Sequence, residues 1–323
     1  MIEEVLPNIY RLEIPLPRNP LKAVNSYVIK DSNRNLIVDT GLNRKECREV
    51  MDQGLAELGI GLEETDFFIT HLHADHFALV SSLATERSQV FFNRPDAEAH
   101  ARGNVWDKMG EYASVHGFPH KELEAALHMH PGYKYGSRLD LSLTILGQGD
   151  IIHVGPYSLT CVETPGHTRG HMCLYEPNRK VLFSGDHILG DITPNIQSWS
   201  DDVHPLREYL LSLDKVYEMD VALVLPGHRR IFRDCRKRIQ ELKEHHQRRA
   251  QETLSILEGG PRTAYEVASQ MTWDIDLRSW HLFPPSQKWF ATGETIAHLK
   301  YVEEQGWVHK EMIGARLVYS RKD

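Results

Sequence analysis

Three histidines and one aspartate stand within six residues, His71-Leu72-His73-Ala74-Asp75-His76, directly behind the largely apolar run Asp66-Phe67-Phe68-Ile69-Thr70. That run reads as a buried strand, and the strand makes the cluster informative. Side chains alternate across a strand, so at its end His71 and His73 project to one face. Asp75 and His76 then follow from the turn that opens the next helix. One short segment can therefore supply two adjacent sets of ligands. Imidazole nitrogen and carboxylate oxygen suit Zn, Fe or Mn, and the lack of cysteine in the cluster removes the thiolate pattern of a structural zinc site. The competing reading is a surface histidine cluster that binds nothing, which needs no matching residues elsewhere in the chain.

Matching residues are present. The runs SLTCVET, VLFSG and ALVL each read as a strand, and each is followed by a candidate ligand. These are His167 in TPGHTRGH, Asp186 in FSGDH and His228 in LPGH. A glycine precedes each one (Gly166, Gly185, Gly227), which permits a sharp turn or a close approach of the ligand.

The remaining chain supplies the frame. NIYRLEIPL, NSYVIKD and RNLIVDTG read as strands, and a helix is expected from about Arg44 to Leu58, ended by Gly59. From about 90 to 149 the pattern is irregular and rich in histidine and aromatic residues, and reads as an insertion that serves binding. Strands alternating with helices, with candidate ligands at strand ends, argue for α/β layers with mixed sheets. From Arg233 onward come a long helical run to Leu257 and a short helix in TAYEVASQM. A third helix carries Ile296, Leu299 and Val302 on one face, and two strand-like runs flank Gly314. Three helices and a hairpin is the order of a winged helix. The expected division is 1–232 for the catalytic domain, with its insertion at 90–149, and 233–323 for a winged-helix-like domain.

In the quoted motifs the chain resembles the metallo-β-lactamase superfamily, and within it the glyoxalase II-like hydrolases, over roughly residues 1–230. The resemblance implies an αββα sandwich with its site at the sheet edges. It implies His71, His73 and His167 as ligands of a first metal, Asp75, His76 and His228 as those of a second, and Asp186 as a bridge. Two divalent transition-metal ions follow, Zn first, with Fe or Mn as alternatives. Asp75 is implied as the catalytic group that orients a water or takes its proton, and Asp39 in IVDTG as a support behind the site, with a plain turn residue as its alternative. Many members carry a glycine pair where this chain has Phe77-Ala78-Leu79-Val80, so a reshaped pocket wall is expected.

The expected activity is hydrolysis of a thioester or ester. The alternatives are a lactonase, an iron-dependent persulfide dioxygenase or other redox member, and a nuclease or nucleic-acid-binding member. Flavodiiron members carry Glu where this chain has His73, persulfide dioxygenases use one metal, and the β-CASP insert of the nucleases is not recognisable here.

Composition narrows the partners. A net charge of −8 does not draw the whole molecule to nucleic acid or anionic membrane. Residues 231–323 are near charge balance, and the candidate recognition helix sets Glu294, Glu303 and Glu304 against Lys300. No apolar run reaches the roughly 20 residues of a membrane helix, and MIEEVLPNIY lacks the pattern of a signal peptide. Cys47, Cys161, Cys173 and Cys235 form no CxxC pair and read as reduced thiols. A cytoplasmic enzyme with a small-molecule substrate is expected, in which the C-terminal domain packs on the first or forms a homodimer. Among the other histidines, His171 and His187 are expected behind the ligands or in packing, His116, His120, His128 and His130 at the surface, and His245 and His246 in solvent. The segment WDIDLRSWHLFPPSQKWF, with Trp273, Trp280 and Trp289, is too aromatic for a free loop.

Overall fold

The strand runs pair into two sheets in the computed structural model of the chain, which describes residues 2–17, 19–103, 105–135, 141–274 and 279–322. Residues 136–140 of the expected insertion and 275–278 of the aromatic segment lie outside the described residues. The chain divides into two units, one of residues 1–103, 135–194 and 212–239, the other of 104–134, 195–211 and 240–323.

The first unit holds both sheets. One follows chain order: β1 (Ile2–Leu6), β2 (Ile9–Pro15), β3 (Ala23–Ile29), β4 (Asn35–Val38), β5 (Thr65–Phe68), β6 (Val90–Asn93) and β7 (Leu143–Leu146). It is antiparallel as far as β4 and parallel from β4 to β7. Its connections carry helices α1 (Lys45–Leu58), α2 (Ala74–Phe77), α3 (Val80–Leu83) and α4 (Arg94–Ala101). The second sheet contains β8 (Ile151–Val154), β9 (Tyr157–Glu163), β10 (Met172–Glu176), β11 (Val181–Gly185) and β12 (Leu223–Pro226), in the spatial order β12-β11-β10-β9-β8. There only β11 and β12 are parallel.

Alternation along the strands decides the layering. Ile37 and Phe67 join Met51 and Leu55 of α1 in one core. Their neighbours Leu36, Val38 and Phe68 join Leu159, Cys161, Leu174, Phe183 and Leu225 in another. The second core is built from both sheets, so the sheets pack face to face and α1 covers the outer face of the first. This is the expected α/β sandwich. Each fully buried aliphatic or aromatic side chain contributes about 1.5–3 kcal/mol.

The second unit draws on α5 (Trp106–Val115), α6 (His120–Met129), α7 (Pro131–Tyr135), α8 (Pro205–Tyr217), α9 (Cys235–Leu257), α10 (Ala264–Ala268), α11 (Pro285–Glu304), β13 (Val308–Ile313) and β14 (Arg316–Arg321). The units divide inside α7, α8 and α9. Helices and hairpin follow in the expected order from α9 on. Ala250, Val267, Ile296, Leu299, Val302, Val308 and Tyr319 form the core. Residues 104–134 belong to this unit, although they precede the 232/233 boundary expected from the sequence. The reason is aromatic: Phe118, Ala113 and Ala126 pack on Trp289 of α11, and Trp289 stacks on Trp199 at 3.9 Å.

Three polar expectations are corrected in this unit. His246 is buried, not solvated, with Nδ1 3.2 Å from His298 Nε2. The stripe His246, Arg249, Ala250, Thr253 and Leu257 of α9 faces inward, and Arg249 buries its charge against Glu294 at 3.6 Å. His116 is buried beside Tyr319. Lys300 is also buried, and its ammonium donates to the backbone carbonyls of Ser200, Asp201 and Val203. Helix α11 therefore does not present Glu294 and Lys300 on a solvent face. All four cysteines are buried and free. Among the described residues no helix is long and apolar enough to cross a membrane.

Candidate metal centre

The strand ends deliver the candidate ligands. Beyond β5 the chain reaches His71, and His73 caps α2, whose first turn presents Asp75 and His76. His167 lies in the loop after β9, Asp186 directly after β11 and His228 just after β12. Gly166 and Gly185 adopt positive φ, 137° and 48°. A side chain at Gly227 would lie 2.6 Å from Asp186 Oδ1 and 2.7 Å from His76 Cε1, so only glycine lets these groups approach.

All seven residues come together. His71, His73 and His167 form one group, Asp75, His76 and His228 another, and His71, His76 and Asp186 a third between them, with the ligand atoms of each within 4.8 Å of one another. Asp186 reaches both sides: Oδ1 is 3.5 Å from His76 Nε2, while Oδ2 is 3.6 Å from His167 Nε2 and 3.5 Å from His228 Nε2. Asp75 Oδ2 is 3.5 Å from His228 Nε2.

A second layer orients these rings. Asp39 is buried in a left-handed conformation, φ 59°, and accepts from the backbone N–H of Thr70 at 2.8 Å. His76 Nδ1 lies 2.7 Å from Asp39 Oδ2. The Thr70 hydroxyl donates to the same Oδ2 at 2.8 Å, which leaves it to accept from His71 Nδ1 at 2.9 Å. His228 Nδ1 donates to the Ala23 carbonyl at 2.7 Å. In each of the three rings the outer nitrogen is engaged and Nε2 is turned toward the centre, the orientation a metal ligand requires. His171 is buried as expected and accepts from the Asp186 backbone N–H at 3.1 Å, and His187 is buried as well.

Electrostatics separate the two groups. Burial lowers the basicity of His71 and His73, the latter to about 3, and the neighbouring rings add to the effect. At His76 and His228 burial acts the same way but is outweighed by Asp186, with help from Asp39 and Asp75 respectively. His76 stands well above its ordinary range and His228 at about 10. Burial opposes ionisation of Asp186 and Asp75, yet His228 and His76 overcome it and hold both below the usual carboxylate range. The convergent carboxylates demand positive charge between them. His71 Nε2 and Asp186 Oδ1 are buried with no hydrogen-bond partner in the protein, a cost that coordination to a cation removes. Nitrogen and oxygen donors in this arrangement fit divalent transition metals.

The residues after the motif do not form a pocket wall. Phe77, Ala78, Leu79 and Val80 are buried in the core, with Phe77 stacked on Phe92 at 5.1 Å. Thr70 lies outside the ligand motifs that the sequence displays. Its only signal is its place one residue ahead of His71.

Residues 19–228 match the family model of the metallo-beta-lactamase superfamily. The chain is similar to a probable metallo-hydrolase of Bacillus subtilis, YqjP, with 24% identity over 292 residues that cover 86% of this chain and 87% of that protein. It is similar to the acyl-coenzyme A thioesterase MBLAC2 of Homo sapiens, with 26% identity over 221 residues, 64% of this chain and 74% of that one. Among solved structures, the metallo-beta-lactamase family protein TTHA1429 of Thermus thermophilus matches with a TM-score of 0.83 and 29% identity, covering 99% of this chain and 100% of its own.

Proposed function

The chain belongs to the metallo-beta-lactamase superfamily, and from that premise we propose that it is a binuclear metal-dependent hydrolase of small thioesters or esters, glyoxalase II-like in its motifs. The observation that carries the reading is the convergence of two three-residue ligand groups on Asp186, whose carboxylate lies within 3.6 Å of His167 in one group and of His76 and His228 in the other. The likeness to an acyl-coenzyme A thioesterase supports the substrate class. Zinc is the proposed metal. The helices and hairpin from α9 to β14 support a winged-helix-like reading of the C-terminal segment.

His71, His73 and His167 would hold one ion, Asp75, His76 and His228 the other, and Asp186 both. When bound, such a pair supplies Lewis acidity that polarises an acyl oxygen and lowers the pKa of a water. The chain supplies orientation. Asp75, held ionised, accepts a hydrogen bond from the attacking water and so fixes the direction of attack. Asp39 and Thr70 keep His71 and His76 in the tautomer that leaves Nε2 free. No serine or cysteine nucleophile is needed.

The test is a substrate panel, an acyl-coenzyme A, an aryl ester, a lactone and a phosphodiester, assayed with zinc-loaded protein in air and under strict anaerobiosis. Thioester or ester turnover at equal rates in both atmospheres is expected. Oxygen consumption matched to substrate loss would overturn the hydrolytic reading, and preference for the phosphodiester would overturn the substrate class.

A further inference from the structure

We propose that Asp96 is a positioning residue for the first metal's ligands, its carboxylate tying the segment that bears His71 and His73 to the loop that bears His167. The inference rests on the binuclear reading above. Asp96 lies in the first turn of α4 and is 2% exposed. The Leu72 backbone N–H, between the two histidines, donates to Oδ2 at 2.9 Å. Across from it, the Thr168 hydroxyl donates to Oδ2 at 2.7 Å, and the Gly170 backbone N–H to Oδ1 at 2.7 Å. Thr168 is the residue after His167, so one carboxylate holds both ligand-bearing segments.

Two further observations make this a built feature. A side chain at Gly170 would lie 2.6 Å from the Asp96 backbone nitrogen and 2.7 Å from Asp96 Cγ, so the loop reaches the carboxylate only because residue 170 is glycine. The first turn of a helix also favours negative charge through its unpaired backbone N–H groups. Each of these three groups donates to Asp96, which suits a carboxylate acceptor and opposes the rise in pKa that burial causes. Charge-assisted bonds of this kind are roughly twice as strong as neutral ones. The three bonds run to two backbone N–H groups and one hydroxyl, none of them a candidate ligand atom. Asp96 acts through the backbone, by setting where the His71–His73 segment and the His167 loop stand relative to each other. The second ligand group lacks this tie: His76 and His228 are held by Asp39 and Ala23 instead. Loss of Asp96 should therefore be felt at the first group and not the second.

Asp96→Asn is the informative change, because it keeps the volume but turns an NH2 group toward at least one donor. Metal-stripped protein is titrated with Zn2+ against a chromophoric chelator in two backgrounds, His228→Ala, which leaves the first group whole, and His167→Ala, which leaves the second. Asp96→Asn is expected to weaken Zn2+ about 10–100-fold in the first background and by less than about 3-fold in the second, the range for groups that orient ligands. Co2+ absorption bands should shift in the first background only. Thr168→Val removes one bond without stranding a charge and should act in the same sense, less strongly. It decides the matter if Asp96→Asn does not fold. Unchanged first-group affinity, or equal loss in both backgrounds, would overturn the proposal. Parent protein that takes up fewer than two ions would overturn the binuclear reading instead, a result separable from the first.

Discussion

Asp39 holds His76 by a 2.7 Å contact to Nδ1, and through the Thr70 hydroxyl the same carboxylate oxygen also holds His71. One buried group thus sets the tautomers of rings assigned to two different metals. Asp39→Ala should lower Zn2+ affinity about 10–100-fold, while Thr70→Val, which releases only His71, should cost less. A chelator-competition titration checks this, and parent-like binding by Asp39→Ala would refute it.

Removing ligands should separate the two ions. Elemental analysis of zinc-loaded protein is expected to give about two ions per chain for the parent. His228→Ala should keep one, and Asp186→Ala should lose most of both. Asp75→Asn should reduce kcat by roughly 10²–10⁴ while retaining the first ion, since the attacking water loses its acceptor. Retention of both ions and full activity by His228→Ala would remove the assignment of the second group.

The legibility of this site has a physical basis. His71 to His76, His167, Asp186 and His228 lie in short motifs at strand ends, where local spacing and a neighbouring glycine reveal them. Asp96 does not, because its partners lie 24 and 72–74 residues away and it sits where the pattern suggested only an insertion. The burial of His246 and Lys300 is hidden in the sequence for a related reason. Their burial depends on partners distant in sequence, His298 for His246 and the carbonyls of Ser200, Asp201 and Val203 for Lys300, which no periodicity announces. The sheets were legible because their alternation is local. The grouping of residues 104–134 with the C-terminal segments was not, since it rests on the contact of Phe118 with Trp289.

Acid should destabilise the second unit. Burial holds His298 at about 3 and His116 at about 4, below the ordinary imidazole value of about 6.5. Unfolding therefore takes up protons. Their contribution to stability is complete above pH ~6.5 and is lost as the pH falls toward the folded values. Between pH 6.5 and 5 each group should cost about 2 kcal/mol. Urea unfolding at pH 7 and 5 measures it, and identical midpoints would show that these rings are not buried uncharged.

Phe77 anchors α2, the helix that carries Asp75 and His76, by stacking on Phe92 within the core. Phe77→Ala should cost about 3–5 kcal/mol of stability. A loss below about 1 kcal/mol in chemical denaturation would mean that the side chain is not the core residue described.

The facing nitrogens of His76 and His228 stand 3.3 Å apart but are separated by 152 residues of chain. An ion shared by those rings would act as a removable staple across nearly half of the polypeptide. Cross-links that close loops of this length withdraw on the order of 5 kcal/mol of freedom from the unfolded chain. The metal would then be a structural fastener as well as a reagent, and a chelator would loosen the molecule while silencing it.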